Sequence, residues 1–463
     1  MTIPPDCLRQ LERIVGSANC SAQREDRLCY GYDGTANLCV PDAVVFPASA
    51  DQVARVMKTA AAFHIPVIPR GSGSGMTGGA LAVSGGIVIV FSRMNRIVEI
   101  DEENMVARVQ PGVITAAFQK QVKRRGLFYP PDPSSAGFST IGGNLAECAG
   151  GPKAVKYGVT RDYVLALEAV LPTGEIVRTG ARTAKGVVGY DLTRLIVGSE
   201  GTLALITEAT LKLLPLPESV KTLTAAFATM DAAARAVSAI LRSHCVPRTI
   251  EFMDNASIRL AEGYLHVGLP VDVGALLIME VDGRRNEIEG LARELEAMSL
   301  NLGAVSVTLA ATEAQARQLW QARKAISPAL FKLAPHKINE DIVVPRSRVP
   351  DLVAKIDELR RQTGMIMVAF GHAGDGNIHF NIMLDKSDKK ALQQAKRAVE
   401  NLFDYTLALG GTISGEHGIG ITKAPYLGKE VDDETLMLMK RIKQAFDPLG
   451  LLNPGKIFPA SAH

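Results

Sequence analysis

Between Ala43 and Leu214 short apolar runs alternate with longer stretches whose apolar residues recur every three or four positions. Ala43–Phe46, Gly86–Phe91 and Ala166–Leu171 have the length of buried strands, whereas Ala50–Phe63 and Ile114–Arg125 carry the helical period. This alternation predicts an α/β domain. Pro215 and Pro217 interrupt the pattern and set a boundary. Beyond it, strands at Lys221–Ala228, Arg248–Met253, Ala275–Val281 and Ala304–Leu309 alternate with helices at Asp231–Ser243 and Glu287–Met298, which predicts a second α+β sheet with its own core. A helix over Glu313–Lys324, a strand over Ile338–Pro345 and a helix over Val349–Gln362 extend it. Residues 364–384 read as a hairpin, MIMVAFG and IHFNIML around HAGDGN, because Asp-Gly between β-rich runs supplies the positive φ of a tight turn. A last helix, Asp433–Ala445, stops at Pro448 and Gly450 before the tail LLNPGKIFP.

Composition narrows the class. The 463 residues, 47% apolar and 21% charged, are those of a globular protein, and at about 150 residues per domain they allow roughly two to four domains. With 51 basic against 48 acidic side chains, a single Trp and no long Lys/Arg run, nothing in the charge pattern suits nucleic acid. The six cysteines show no metal-binding spacing and read as reduced cytoplasmic thiols. Met1 to Gly16 lacks the apolar core of a secretory signal, and no apolar run is long enough to span a bilayer, so the expected location is the cytoplasm, with peripheral contact to the inner face of the membrane left open.

Glycine is in excess, 42 copies or about 9% against a usual ~7%. The first cluster, Pro69-Arg70-Gly71-Ser72-Gly73-Ser74-Gly75-Met76-Thr77-Gly78-Gly79, lets backbone N–H groups converge on an anion, with Ser72, Ser74 and Thr77 as further donors. It lacks the Gly-Lys-Ser/Thr end of a P-loop, and a Gly-rich strand rather than a helix is expected after it, which excludes a Rossmann site; alone, it is equally an ordinary loop. Two more such loops follow, Pro131-Asp132-Pro133-Ser134 with Thr140-Ile141-Gly142-Gly143-Asn144, and Gly198-Ser199-Glu200-Gly201-Thr202 running on to Ile206. Three in one domain suit a long ligand lying against backbone.

From about Asn37 to Pro217 the sequence resembles the FAD-binding domain of the vanillyl-alcohol-oxidase (PCMH) type. The resemblance implies that Arg70, Gly71 to Gly75 and Thr77 to Gly79 meet the pyrophosphate. Pro131, Asp132, Ser134, Gly142, Gly143, Asn144, Gly201 and Ile206 would then lie along the rest of FAD. Neither His nor Cys stands in the first loop, and Cys148 suits a small buried apolar role, so the expected FAD is non-covalent.

Two of the eight histidines, His372 and His379, bracket the hairpin turn, and His417 sits in SGEHGIG. On facing strands two imidazoles come close enough to share a cation, with Glu416 as a third ligand; ordinary polar packing around a turn is the other reading of such a pair. Asp375 reads as a turn residue.

With GHAGDGNIH, GEHGIG and LLNPGKIFP together, the chain from about residue 20 to 459 resembles the FAD-linked D-2-hydroxyacid dehydrogenases, the family of D-lactate dehydrogenase, D-2-hydroxyglutarate dehydrogenase and the flavin subunit of glycolate oxidase. The resemblance implies a zinc or manganese ion on His372, His379 and Glu416 and a base in His417. It also implies substrate contacts at Arg323 and Asn381 and a flavin contact at Asn453. The implied architecture is α+β: a helical segment 1–36, a two-subdomain FAD domain 37–217, a ferredoxin-like cap 218–425 holding the metal, and a helical tail 426–463 returning to the FAD domain. The implied reaction is oxidation of a small D-2-hydroxy acid. Its electrons would leave through a partner such as a quinone-linked iron–sulfur subunit, an electron-transfer flavoprotein or a cytochrome, because no cysteine-rich cluster segment is present; a homodimer is compatible with the same reading. The competing readings are a non-redox transferase of the alkylglycerone-phosphate synthase type, which should lack an intact H-x-G-D-G-N-x-H, and a non-catalytic flavin subunit of a larger oxidase, which should lack much of the histidine constellation.

Overall fold

A computed structural model describes residues 3–35 and 37–458, so the last residues of the expected tail 426–463 lie outside the described residues. The chain divides into two compact units, one of Met1–Gly150, Val159–Leu216 and Glu416–His463, the other of Gly151–Gly158 and Pro217–Gly415.

The first unit holds two sheets. Strands β1 (Cys20–Ser21), β2 (Ala43–Val45), β3 (Val67–Arg70) and β4 (Ile87–Val90) align in the order β1-β2-β4-β3. Both β2 and β3 run parallel to β4, and the helix Ala50–Ala62 makes the crossover between them. Ser49 starts that helix, its hydroxyl accepting the Gln52 N–H at 3.3 Å, and Val53, Val56, Met57 and Ala60 form its buried stripe. The helix Pro5–Val15 lays Cys7, Leu11, Ile14 and Val15 into the same core. The expected N-terminal segment 1–36 is therefore not separate: the helix Pro5–Val15 packs its apolar face on this sheet and on the helix Ala50–Ala62, within the first unit.

Strands β5 (Ile97–Asp101), β6 (Val106–Val109), β7 (Leu127–Phe128), β8 (Val164–Val170), β9 (Ile176–Gly180), β10 (Leu205–Lys212) and β11 (Leu214–Pro215) follow. Five of them form an antiparallel sheet in the order β5-β6-β10-β8-β9, while β7 and β11 pair as a short ribbon. Between β3 and β4 the first glycine cluster is a run of bends and turns, and the strand expected after it, β4, begins only at Ile87; Ile141–Glu147 in the second cluster is a helix rather than a loop, capped by Thr140, which accepts the Gly143 N–H.

The second unit is one antiparallel sheet of seven strands, β12 (Ser219–Phe227), β13 (Thr249–Asp254), β14 (Ala275–Gly283), β15 (Ser306–Leu309), β16 (His336–Val343), β17 (Ile366–His372) and β18 (Asn377–Leu384), in the order β15-β12-β14-β13-β17-β18-β16. The expected hairpin is β17 and β18, with Gly376 at φ +86° closing the turn. The helix Glu313–Ala329 runs five residues past the expected end, since Ala325, Ile326 and Ala329 continue its buried stripe. It packs with the helix Asn255–Leu265 on one face of the sheet, over Met253, Val368, Phe370 and Met383.

The chain leaves this unit at Gly415, ten residues before the expected boundary at 425, so Glu416 and His417 belong to the first unit. Residues 151–158, expected in the FAD domain, belong to the second: Asp282 takes the Lys156 ammonium at 2.5 Å and the Tyr157 hydroxyl at 2.7 Å.

Candidate active site

In the first unit β3 ends at Arg70 and delivers the first glycine cluster. The Arg70 guanidinium lies 5.7 Å from the Tyr30 ring centre and 5.8 Å from that of Tyr32, and it fills the space a side chain on Gly73 would need. A Cβ on Gly71 would sit 2.4 Å from the Thr140 hydroxyl, and one on Gly201 would sit 2.5 Å from Pro69. These glycines thus join the three segments to one another: the first cluster to the helix Ile141–Glu147, and the Gly198–Thr202 turn to β3. Gly75 accepts the Gly34 N–H, Gly142 donates to Pro111, Asn144 donates to the Thr115 hydroxyl at 2.8 Å, and Pro131 accepts from Gln119. Ser72 and Ser134 are exposed beside them, Ser74 and Asp132 half-buried, and Ile206 lies in β10.

The C-terminal return completes this cradle. Asn453 donates to the carbonyls of Gly79, at 3.0 Å, and Glu200, at 2.9 Å. The Glu200 carboxylate accepts the N–H groups of Ile419, at 2.8 Å, and Gly420, at 2.6 Å, and the Thr77 hydroxyl donates to the His417 carbonyl at 3.0 Å. Glu416 lies beside Gly150. Glu147, unremarked in the sequence, has its carboxyl pushed well up by burial and by the charge of Glu200. Its buried Oε2, and the Oδ1 of Asn453, have no hydrogen-bond partner among the described residues. Two orphaned polar atoms in a glycine-lined cradle fit a bound ligand rich in hydrogen-bonding groups, as FAD is.

In the second unit the register fixes the geometry. Side chains alternate across a sheet, so Glu251 of β13, His372 and Phe370 of β17, Asn377, His379 and Asn381 of β18, and Lys337, Asn339 and Asp341 of β16 share one face, with Glu251 opposite His372 and Asp341 opposite His379. The two imidazole Nε2 atoms lie 3.4 Å apart. His372 holds its Nδ1 2.5 Å from Glu251 Oε1, and His379 Nδ1 is 3.8 Å from Asp341. Asp341 itself accepts the Asn377 amide at 2.5 Å and the Gly415 N–H at 3.1 Å. Two nitrogen atoms meeting in this way, with carboxylates behind both rings, are a donor set that a divalent cation fits.

Arg323 comes down on this face from the helix Glu313–Ala329, 2.7 Å from Glu251 Oε2 and 4.6 Å from the Phe370 ring centre. Its buried Nε has no partner among the described residues, a donor that an anion would satisfy. Lys337 is held by the Ser327 hydroxyl at 3.1 Å, and burial pulls its pKa down. Burial pushes the Glu251 carboxyl up, but His372 and Arg323 outweigh it and the net shift is down, which keeps Glu251 ionised. Asn381 is engaged with its neighbours, accepting from Asn339 at 2.8 Å and donating to the carbonyls of Val368 and His379 at 3.4 Å. Asp375 is a turn residue, its carboxylate accepting the Asn377 N–H.

Sequence reasoning missed Glu251 and Asp341 and set Lys337 aside. The signal for the last two was present in HKINEDIV, where Lys337, Asn339 and Asp341 recur at the period of one strand face. For Glu251 no local signal exists, because its partner lies 121 residues away.

Comparison with known proteins agrees with this division of labour. Residues 41–180 match the family described as FAD binding domain, and residues 216–457 match that described as FAD linked oxidases, C-terminal domain. The chain is 45% identical over 461 residues to the glycolate oxidase subunit GlcD of Bacillus subtilis (strain 168), spanning 99% of this chain and 98% of that one. It is 36% identical to a D-lactate dehydrogenase of Anaerostipes hadrus, over 90% and 89% of the two chains. Among solved structures, p-cresol methylhydroxylase superposes with a TM-score of 0.83 at 16% identity, covering 99% of this chain and 97% of that one, and alkyldihydroxyacetonephosphate synthase superposes at 0.77 and 21%, covering 98% and 85%. These two show the fold alone. No helix among the described residues is long and apolar enough to cross a membrane. Both family matches and the near-full-length identity to these relatives show that the chain is an FAD-linked oxidoreductase and belongs to the FAD-linked oxidase family that includes glycolate oxidase subunit GlcD and D-lactate dehydrogenase.

Proposed function

We propose that the chain is an FAD- and divalent-metal-dependent dehydrogenase that oxidises a small D-2-hydroxy acid to the 2-oxo acid and passes the electrons to an acceptor other than dioxygen. The observation that carries this reading is the convergence of His372 Nε2 and His379 Nε2 on the face that also holds Arg323. In this reading His372 and His379 are metal ligands. Glu416, the residue after Gly415 in the chain, is the third ligand, and His417 is the base. The Asp341 carboxylate holds the Gly415 N–H, and Thr77 holds the His417 carbonyl, so the backbone on either side of Glu416 is tied down.

When bound, a divalent cation supplies a Lewis acid for the hydroxyl oxygen and FAD supplies the acceptor for the hydride. The chain supplies the rest. Arg323 binds the substrate carboxylate through the free edge of its guanidinium. His417 takes the hydroxyl proton as general base. Gly71 to Gly79, Gly142 to Asn144, Gly201 and Asn453 hold the dinucleotide non-covalently, with no His or Cys in the first cluster to form a tether.

Relatives named as subunits support a second element of the reading, that a partner protein receives the electrons. Anaerobic bleaching of the bound flavin by a panel of D- and L-2-hydroxy acids tests the whole. Reduction by D-2-hydroxy acids, with slow peroxide formation and fast reduction of an artificial dye, is the expected result. Failure of every 2-hydroxy acid to bleach the flavin overturns it.

A further inference from the structure

Glu251 lies in β13 with no exposed surface, a buried carboxylate that takes part in neither hydride nor proton transfer. Placing an ionised carboxylate there is costly unless both oxygens are paired. Each oxygen has a partner in a different half of the candidate site: Oε1 meets His372 Nδ1 at 2.5 Å, and Oε2 forms an ion pair with Arg323 Nη2 at 2.7 Å, off the line of a hydrogen bond.

We propose that Glu251 is a positioning residue that builds the metal site and the anion site as one piece, fixing the tautomer of His372 with one oxygen and the guanidinium plane of Arg323 with the other. The inference rests on the reading of His372 and His379 as metal ligands.

A neutral imidazole has one N–H. With a carboxylate acceptor against Nδ1, the proton stays on Nδ1 and the lone pair stays on Nε2, the atom that faces His379 Nε2 at 3.4 Å. The opposite tautomer would turn an N–H toward His379 and close the site to a cation. Strand pairing holds the carboxylate in place, since Glu251 and His372 are register partners on adjacent strands. On the other side Arg323 is clamped between Glu251 and the Phe370 ring, 4.6 Å from its centre, while its buried Nε has no partner among the described residues. A pair that served stability alone would have no reason to hold two imidazole Nε2 atoms 3.4 Å apart.

The test is Mn2+ binding to the purified FAD-loaded chain after chelation, followed by the electron paramagnetic resonance of free Mn2+, so that the readout is independent of turnover. Glu251→Gln, which keeps the shape and can donate to Nδ1, should weaken Mn2+ binding by about 10- to 100-fold, the usual effect of removing a carboxylate behind a ligating histidine. Glu251→Asp should recover part of the loss. The His372→Ala variant separates the two readings: if it binds Mn2+ like the wild type, the metal assignment itself fails. If His372→Ala loses Mn2+ while Glu251→Gln keeps wild-type affinity, the metal assignment stands and the positioning role is refuted. The tautomer is read on the unaltered protein, where nitrogen-15 NMR of the metal-free chain should find His372 protonated on Nδ1. Protonation on Nε2 overturns the inference whether or not any variant folds.

Discussion

Replacing Asp341 by alanine should destabilise the second unit by an amount that can be worked from its contacts. The side chain is fully buried; one oxygen accepts the Asn377 amide at 2.5 Å and the other accepts the Gly415 N–H at 3.1 Å. Truncation removes two hydrogen bonds to a charged acceptor, at about 1.5–3 kcal/mol each, although the Gly415 N–H keeps the Asp341 carbonyl at 3.2 Å and the Asn377 amide keeps that of Ile342 at 3.3 Å; removing a buried charge returns part of the loss, for a net of roughly 2–4 kcal/mol. In a unit of about 200 residues, 1 kcal/mol moves the midpoint by about 2–4 °C, so a drop of about 4–16 °C is expected. Asn at 341 keeps one acceptor but turns an NH2 toward one of the donors, and should fall about halfway. The single tryptophan of the chain, Trp320, bonded to Glu280 within the second unit, reports this transition by its fluorescence. Melting after chelation removes any contribution from a bound cation. An Asp341→Ala protein whose Trp320 transition stays within about 1 °C of the wild type would show that these two hydrogen bonds carry no net stability.

Two further outcomes concern the first unit. Acid precipitation should release all of the flavin, and colour remaining in the pellet would mean a covalent link at a residue other than those of the first glycine cluster. Burial pulls the Lys456 ammonium from an ordinary 10.5 to about 8. The unfolded chain therefore binds more protons between those values, and this group's contribution to stability rises as pH climbs from about 8 to 10.5, by roughly 3 kcal/mol in all. The urea stability of the wild type minus that of Lys456→Met should increase over that range, and a flat difference would remove the shift.

Periodicity was enough to recover most strands and helices, and the Asp-Gly turn was enough to place His372 and His379 on facing strands. Both signals are local. Glu251 was beyond reach, and Asp341 was legible as a strand-face position but not as the neighbour of His379, because both pairings are set by strand order, and the order β13-β17-β18-β16 joins segments far apart in the chain. The glycine clusters were located correctly but only partly understood: Gly71 and Gly201 are small because Thr140 and Pro69 press on them, a packing demand that the sequence shows only once the segments are known to meet. The transfer of Glu416 and His417 to the first unit was hidden for the same reason, since Glu200, which binds the backbone just beyond them, stands more than two hundred positions earlier.

The division of the chain also imposes an order on its biosynthesis. The first unit is begun by Met1–Gly150 and Val159–Leu216 and finished only from Glu416 onward, after the whole of the second unit has been made. At about 5–20 residues per second, the intervening stretch takes roughly 10–40 s to synthesise. Throughout that interval β3 lacks the neighbour that Leu451 and Leu452 later provide, Leu452 is missing from the core, and the Glu200 carboxylate has no Ile419 or Gly420 to hold. A nascent chain at this stage carries an open strand edge, so the ribosome-bound intermediate is the form in most need of a chaperone.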